Sequence, residues 1–429
     1  MPQHEYELAG LTVLHMTQPV EGGVARVVMD LVTAQVRAGA RVVVASPAGP
    51  AAPGRPARPS GPAVPPQPSG SSQAPEAPEP ARPPDAEPGP FARRLAAVGA
   101  EAVRWPARRS PGPWLPREVA AAARVLAAVR PDLLHLHSAK AGLAGRLAAR
   151  GRVPTVFQPH AWSYDAVTGP VASAALRWER YATRWTDRVL CVSAAEREAG
   201  LRHGLRAAWS VVPNGVDTTH FTPAADPGSV RAGLPALAGL PPGAPLVVCV
   251  GRLCPQKGQD VLLRAWPEVT ARLPAARLAL VGDGPDRGRL LRAAPPGVTF
   301  AGPTADPRAW YRAADLVVQP SRWEGMALAP LEAMACGRAV LLTDVAGARE
   351  SLPPADTATG LVTAADPAAL ARALVRLLGD PPLRAAVTAR AVAHVRDRHD
   401  VRRAAAAVSA LYRDLLSLPH PHPVERAPR

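Results

Sequence analysis

The sequence predicts an α/β protein made of two successive doubly wound series, and three observations carry that expectation. A strand-like run at residues 11–16 is followed by a polar turn with Gly22 and Gly23, a helical pattern over residues 24–36 stopped by Gly39, and a second buried run at residues 41–45. That is a strand, glycine loop, helix, strand unit, the opening of a doubly wound sheet. The same alternation restarts after residues 211–217, with runs at residues 246–250, 277–281, 298–300, 316–318 and 339–342 and helical stretches between them. Finally, these runs are short and mostly apolar, as strands covered on both faces should be.

Residues 47–90 interrupt the first series. They are dominated by Pro, Ala, Gly and Ser with almost no large apolar side chain. Such a segment cannot bury enough surface to offset its ordering entropy, so a disordered, partly polyproline-like insertion is expected. Order resumes near Phe91. A helix is predicted over 119–129, ended by the Arg130-Pro131 step, then a strand at 132–137, a helix at 141–149 and a strand at 155–158. An amphipathic helix at 171–186 precedes a strand at 188–193, whose last residue, Ser193, can cap the next helix. Residues 211–217 read as the crossing between domains, giving a first domain of 1–213 and a second of 214–398. A helical stretch over 368–416 is expected to break at Asp380-Pro381-Pro382, with 399–418 as a separate terminal helix segment and 419–429 as a frayed tail rich in Pro and His.

A chain of 429 residues accommodates two or three domains. No apolar run approaches the ~18–20 residues that span a bilayer, and no basic region leads into an apolar stretch at the N-terminus, so a cytoplasmic protein is expected. The four cysteines, Cys191, Cys249, Cys254 and Cys336, are scattered without a Cys-x-x-Cys pair, which suits reduced, buried thiols. The net charge of +15 comes almost entirely from arginine, since Lys140 and Lys257 are the only lysines. With no zinc-finger spacing, aromatic strand motif or basic-region heptad, nucleic acid is not expected as a partner. Phosphate-bearing substrates or an anionic membrane face fit the excess better. On residues 171–186, Trp178, Tyr181 and Trp185 share a face flanked by Arg177, Arg180, Arg184 and Arg188. Packing on the first sheet is the favoured reading of that face, and peripheral contact with the inner face of a membrane is the alternative.

The most informative stretch runs from Ala314 to Gly337. An apolar run ends in a loop holding Glu324 and Gly325, which leads into a helix carrying Glu332, eight residues after the first carboxylate. Glycine lets the backbone turn sharply, and the unpartnered N–H groups at a helix start can bind an anion. On spacing alone the favoured reading of the two glutamates is a turn residue and a solvated helix residue. After the run 246–250 comes Gly251-Arg252-Leu253-Cys254-Pro255-Gln256-Lys257-Gly258, which brings two cations to the carboxyl edge of the sheet, where open α/β folds bind ligands. His160 stands just past a strand end. His135 and His137 alternate on one strand, but the sequence shows no third ligand near them, so no metal site is expected.

These strings together resemble the retaining glycosyltransferases of family 4, also described as glycosyl transferases group 1. The resemblance covers nearly the whole chain outside the Pro-rich insertion and the last dozen residues, and is strongest between Arg252 and Glu350. It implies the GT-B fold, two Rossmann-like domains facing across a cleft. It implies that Glu324 faces the donor sugar, that Glu332 holds the ribose, and that Arg252 and Lys257 hold the diphosphate. The backbone of Gly22, Gly23, Gly251, Gly325, Met326 and Ala327 would line the donor site, and His160 would bond the donor sugar. The His departs slightly from the usual pattern, which places it directly after the apolar residues. Asn214, Gly215 and Asp217 resemble the family's Pro-Asn-Gly-(Val/Ile)-Asp string, and Glu350 matches a motif glutamate near the donor site. The implied substrates are a nucleotide diphosphate sugar donor and a hydroxyl acceptor, a glycan, glycolipid or small molecule, in cell-surface polysaccharide or glycolipid synthesis. No cofactor and no metal are implied. A non-catalytic sugar-nucleotide-binding scaffold and a nucleotide-sugar epimerase would use the same fold.

Overall fold

The computed structural model describes residues 8–47, 89–109, 111–241 and 243–417. Nearly all of the Pro-rich insertion and the tail beyond residue 417 lie outside these residues.

Two parallel sheets form the molecule. The first has seven strands: β1 (Thr12–Thr17), β2 (Arg41–Ser46), β3 (Glu101–Arg104), β4 (Leu133–His137), β5 (Thr155–Gln158), β6 (Arg188–Cys191) and β7 (Trp209–Val211), in the order β3-β2-β1-β4-β5-β6-β7. The second has six: β8 (Leu246–Val250), β9 (Arg277–Val281), β10 (Val298–Gly302), β11 (Leu316–Gln319), β12 (Ala339–Thr343) and β13 (Leu361–Val362), in the order β10-β9-β8-β11-β12-β13. Both are doubly wound, so each turns direction beside its first strand and opens a crevice at the carboxyl ends there.

The strands expected from the sequence are present, with ends shifted by a residue or two. Three strands were not expected: β3, β7 and β13. Each is an edge strand, short and without a continuous apolar run. The final helical stretch is three helices, Pro367–Gly379, Pro381–Arg398 and Val401–Ser417, because a second break falls at His399-Asp400 as well as at the expected proline step. The helix predicted to reach residue 186 ends at Ala182 and passes into a single tighter turn. Ser193 does cap the helix Ala194–Arg202, its hydroxyl accepting from Glu196 N at 3.1 Å. All four cysteines are buried free thiols.

Apolar clusters cover both faces of each sheet. One face of the first sheet packs Val13, Val42 and Leu133 under the helix Gly22–Arg37 and also under Val408, Leu411 and Tyr412 of the C-terminal helix. The chain therefore crosses between the lobes twice. The crossings lie side by side, with Val216 N donating to His399 O at 2.8 Å and Val401 N donating to Val216 O at 3.1 Å. On the opposite face, two buried ion pairs stand among apolar groups: Lys140 with Glu118 at 2.8 Å, and Arg146 with Glu179 at 2.7 Å. The Arg146 guanidinium also lies over Phe157, 4.0 Å from the ring centroid, and over Trp178 at 5.6 Å. Trp178 is thus partly drawn into the first domain, as the packing reading expects, whereas Tyr181 remains exposed under Arg184. Among the described residues, no helix is long and apolar enough to cross a membrane.

Candidate active site

The loops that leave the carboxyl ends of β11 and β12 meet those leaving β1, β5 and β6. After β8 the chain passes through Gly251 and Arg252 into a tight turn over Pro255–Lys257, and Gly258 (φ +67°) redirects it into the helix Gln259–Arg272. This turn returns Lys257 to the strand end, where its aliphatic stem lies 3.8 Å from the position a Cβ on Gly251 would take. Lys257 Nζ donates to Glu324 at 2.5 Å. The Ser321 hydroxyl donates to the same carboxylate at 2.7 Å, and Gln256 Nε2 lies 3.5 Å from it. A small pocket beside Glu324 is lined by Gln319, Ser321, Ala327, Thr343 and Ala348.

Gly325 carries the line across to the other lobe. A Cβ there would come within 2.9 Å of the His160 carbonyl carbon and of Val192 Cγ2. Gly347, at φ +72°, packs on the Gly325 carbonyl and has no room for a side chain either. Gly325→Ala should therefore force the lobes apart, and overpacking of this kind costs about 1–3 kcal/mol. A melting temperature equal to wild type would show that the lobes do not meet at this point.

The helix beyond the loop spans Leu328–Ala335, starting later than the sequence suggests, with no side-chain cap on its first N–H groups. Gly23, at the uncapped start of the helix Gly22–Arg37, faces it, with Leu328 Cδ1 3.9 Å from the position of a Cβ on Gly23. Two helix starts thus confront each other, and both present unpaired amide donors of the kind that bind anions.

The other residues singled out in the sequence are placed differently from one another. Arg252 is exposed on its loop and makes no ion pair among the described residues. Glu332 does not look into an open hollow. It is buried, its carboxylate is taken by the Arg26 guanidinium of the first domain, and Tyr311 Oη donates to it at 2.7 Å. A carboxylate removed from water must be paired, and the first lobe supplies the cation. Burial still holds the Glu332 carboxyl above its usual range, with Arg26 opposing. Glu350 accepts from Ala194 N at 2.6 Å and Ala195 N at 2.8 Å, so it caps a helix of the first domain instead of facing the space beside Glu324. Asn214 Nδ2 donates to Met326 O at 2.8 Å, and Ser193 Oγ donates to Gly325 O at 3.1 Å.

The histidines correct one expectation outright. His135 and His137 do have a third imidazole beside them, because β1 pairs with β4 in a register that sets His15 opposite His135. Ring nitrogens of the three lie within 4.8 Å of one another, a spacing a metal ion could bridge. His15 Nδ1 and His137 Nε2 lie 2.9 Å apart, within hydrogen-bonding distance. All three are buried, and burial lowers their basicity, His15 to about 4. His160, at φ +58°, joins them through His137 and is lowered to about 3 by burial.

Sequence comparison identifies the family. Residues 21–220 match Glycosyltransferase Family 4, and residues 244–380 match Glycosyl transferases group 1. A lipopolysaccharide core biosynthesis mannosyltransferase of Rhizobium leguminosarum bv. viciae is 33% identical over 57% of this chain and 70% of its own. The chain belongs to glycosyltransferase family 4. A D-inositol 3-phosphate glycosyltransferase of Nocardia farcinica is 36% identical to this family 4 glycosyltransferase over 70% of its chain and 67% of the relative. The fold matches that of sucrose-phosphate synthase from Thermosynechococcus elongatus (TM-score 0.73, 22% identity, 95% and 99% of the two chains). It also matches Anabaena HepE in complex with UDP and glucose (TM-score 0.72, 21% identity, 95% and 100%). Both lobes therefore form a GT-B glycosyltransferase.

Arg26, Tyr311, Ser321 and His15 were not singled out in the sequence. Arg26 carried a faint signal, a cation one turn inside the glycine-led helix. The others are ordinary strand, loop and helix residues that acquire partners only through the tertiary fold.

Proposed function

We propose that this glycosyltransferase moves a sugar from a nucleotide diphosphate sugar to a hydroxyl acceptor with retention of anomeric configuration. The observation that carries the reading is the Lys257–Glu324 pair, set on Gly251 and continued through Gly325 to His160. As the glycosidic bond breaks, charge grows on the leaving diphosphate. Lys257 and the facing helix starts offer fixed positive potential to it, with Arg252 reaching in from its exposed loop, a task met without a metal ion, and such stabilisation acts most strongly in the transition state. Glu324 stands where the sugar end of the donor would lie, with His160 on the other side. The acceptor hydroxyl attacks from the face the diphosphate leaves, and a diphosphate oxygen takes its proton.

Relatives narrow the substrates to test first. Two are lipopolysaccharide core mannosyltransferases, and two are GDP-mannose-dependent enzymes acting on phosphatidylinositol monomannosides. A mannosyl donor and a glycolipid acceptor are therefore the first choice, and the basic, aromatic face around Tyr181 would suit contact with an anionic lipid surface. The test is a thermal-shift screen of nucleoside diphosphates and their sugars, followed by a transfer assay that reads the product anomer. A ligand at a hundred times its dissociation constant adds about 2.7 kcal/mol of stability. A screen in which no nucleoside diphosphate raises the melting temperature, or an inverted product, would overturn the proposal.

A further inference from the structure

Three of the four histidines form a continuous line from the protein interior to the cleft, while His135 Nδ1 pairs with Tyr412 Oη at 2.5 Å instead. Gln35 Oε1 lies 2.7 Å from His15 Nε2, His15 Nδ1 lies 2.9 Å from His137 Nε2, and His137 Nδ1 lies 3.1 Å from His160 Nε2. Every link joins one nitrogen of a ring to one nitrogen of the next, and the far end is closed by an amide carbonyl on the first helix.

A carbonyl oxygen can only accept, so His15 carries its proton on Nε2. A neutral imidazole has one N–H and one bare nitrogen. The rings are neutral at physiological pH because burial holds each of them well below the usual histidine range. His15 Nδ1 is then bare and must receive the proton of His137 Nε2. His137 Nδ1 is bare in turn and must receive the proton of His160 Nε2. His160 is left with an unprotonated Nδ1.

We propose that Gln35 is a positioning residue which, through His15 and His137, fixes His160 as its Nε2–H tautomer and so gives the cleft a hydrogen-bond acceptor at Nδ1. This rests on the reading of His160 as a residue that meets the donor sugar. Within that reading it deepens the site: His160 takes a hydrogen bond from a sugar hydroxyl and has no proton to offer, so a donor lacking that hydroxyl is handled poorly. The orienting partner of a histidine ring decides which nitrogen faces the substrate, here over three rings instead of one.

The test uses the full chain labelled with ¹⁵N-histidine, in which long-range proton–nitrogen correlations report the tautomer of each ring, with His160→Gln identifying the His160 signals. Wild-type protein should show a protonated Nε2 and a bare Nδ1 at His160. Gln35→Met, close in shape but without the carbonyl, should give a mixture of tautomers at His160, and Gln35→Glu, which keeps an acceptor, should restore the single form. Transfer should follow: kcat/KM falls about tenfold in Gln35→Met, the value of one misdirected hydrogen bond, and recovers in Gln35→Glu. A wild-type His160 protonated on Nδ1 overturns the proposal, as does a His160 tautomer that Gln35→Met leaves unchanged. The wild-type spectrum decides the first point even if the methionine variant fails to fold. The expected tautomers with no sugar transfer to any acceptor would count against the transferase reading instead, since the spectra need no substrate.

Discussion

Glu324→Gln should lower the rate of sugar transfer by about 10²–10³-fold, and Lys257→Ala should do the same. The amide keeps the shape of the carboxylate and its bond from Ser321 and still offers Lys257 an acceptor oxygen, so the fold should survive at a cost of about 1–3 kcal/mol. What is lost is charge. In the resting structure Glu324 holds Lys257 Nζ at 2.5 Å, and both side chains are mostly shielded from water. On the proposed function, a bound diphosphate would compete for the ammonium, and the freed carboxylate would face a sugar carbon that becomes electron-poor as its bond breaks. An amide offers that carbon far less, and alanine at 257 leaves the departing diphosphate without the nearest cation. Steady-state kinetics with a radiolabelled donor measure both effects. Wild-type turnover in both variants would remove this pair from the chemistry and leave the fold as a binding scaffold.

The second large effect is on stability. Arg26→Met should cost about 2–3 kcal/mol, somewhat below the 3–5 expected for breaking a fully buried pair, because Arg26 is 34% exposed while Glu332 is 4% exposed. Arg26 serves two acids. Burial pushes the Asp30 carboxyl up to about 7, with Arg26 the main opposing influence, and Glu332 is raised for the same reason. A carboxyl whose folded pKa lies above its unfolded value destabilises the fold increasingly as pH rises through that interval. Without Arg26 both rise further, so the deficit should be small at pH 5 and larger at pH 8. Adding Glu332→Gln to Arg26→Met should recover much of the loss, since the stranded charge is gone. Thermal melts of the four proteins at the two pH values measure this, and strictly additive losses would mean that the pair contributes nothing as a pair. For Glu332 to hold a ribose, as the family resemblance implies, Arg26 must first let go, so Arg26→Met should also tighten nucleotide binding relative to its stability.

The buried strands were legible because their runs of Val, Leu and Ala have one physical explanation, cover on both faces. The edge strands β3, β7 and β13 were not, since an edge strand is half solvated and Glu101-Ala102-Val103-Arg104 carries no apolar period. The Lys257–Glu324 meeting could be anticipated because both residues sit at carboxyl ends of central strands. Arg26 on Glu332 and Glu350 on the helix at Ala194 could not, because they depend on how one lobe is seated on the other. His15 escaped notice for a related reason. Only the β1–β4 register puts it opposite His135, and register between strands so distant in the chain leaves no local trace.

The paired crossings at Val216 and His399–Val401 have a mechanical consequence. Two neighbouring attachments define one axis, which permits the halves to swing but resists sliding and independent twisting. The first crossing at Val216 follows the end of β7 by five residues, and β3 is the opposite border of that seven-stranded sheet. Six interstrand steps of about 4.8 Å place that border roughly 29 Å away, so a swing of about 10° displaces it by about 5 Å. Residues near the pivot would barely shift over the same excursion, so any opening between the halves would be widest at the distant margin.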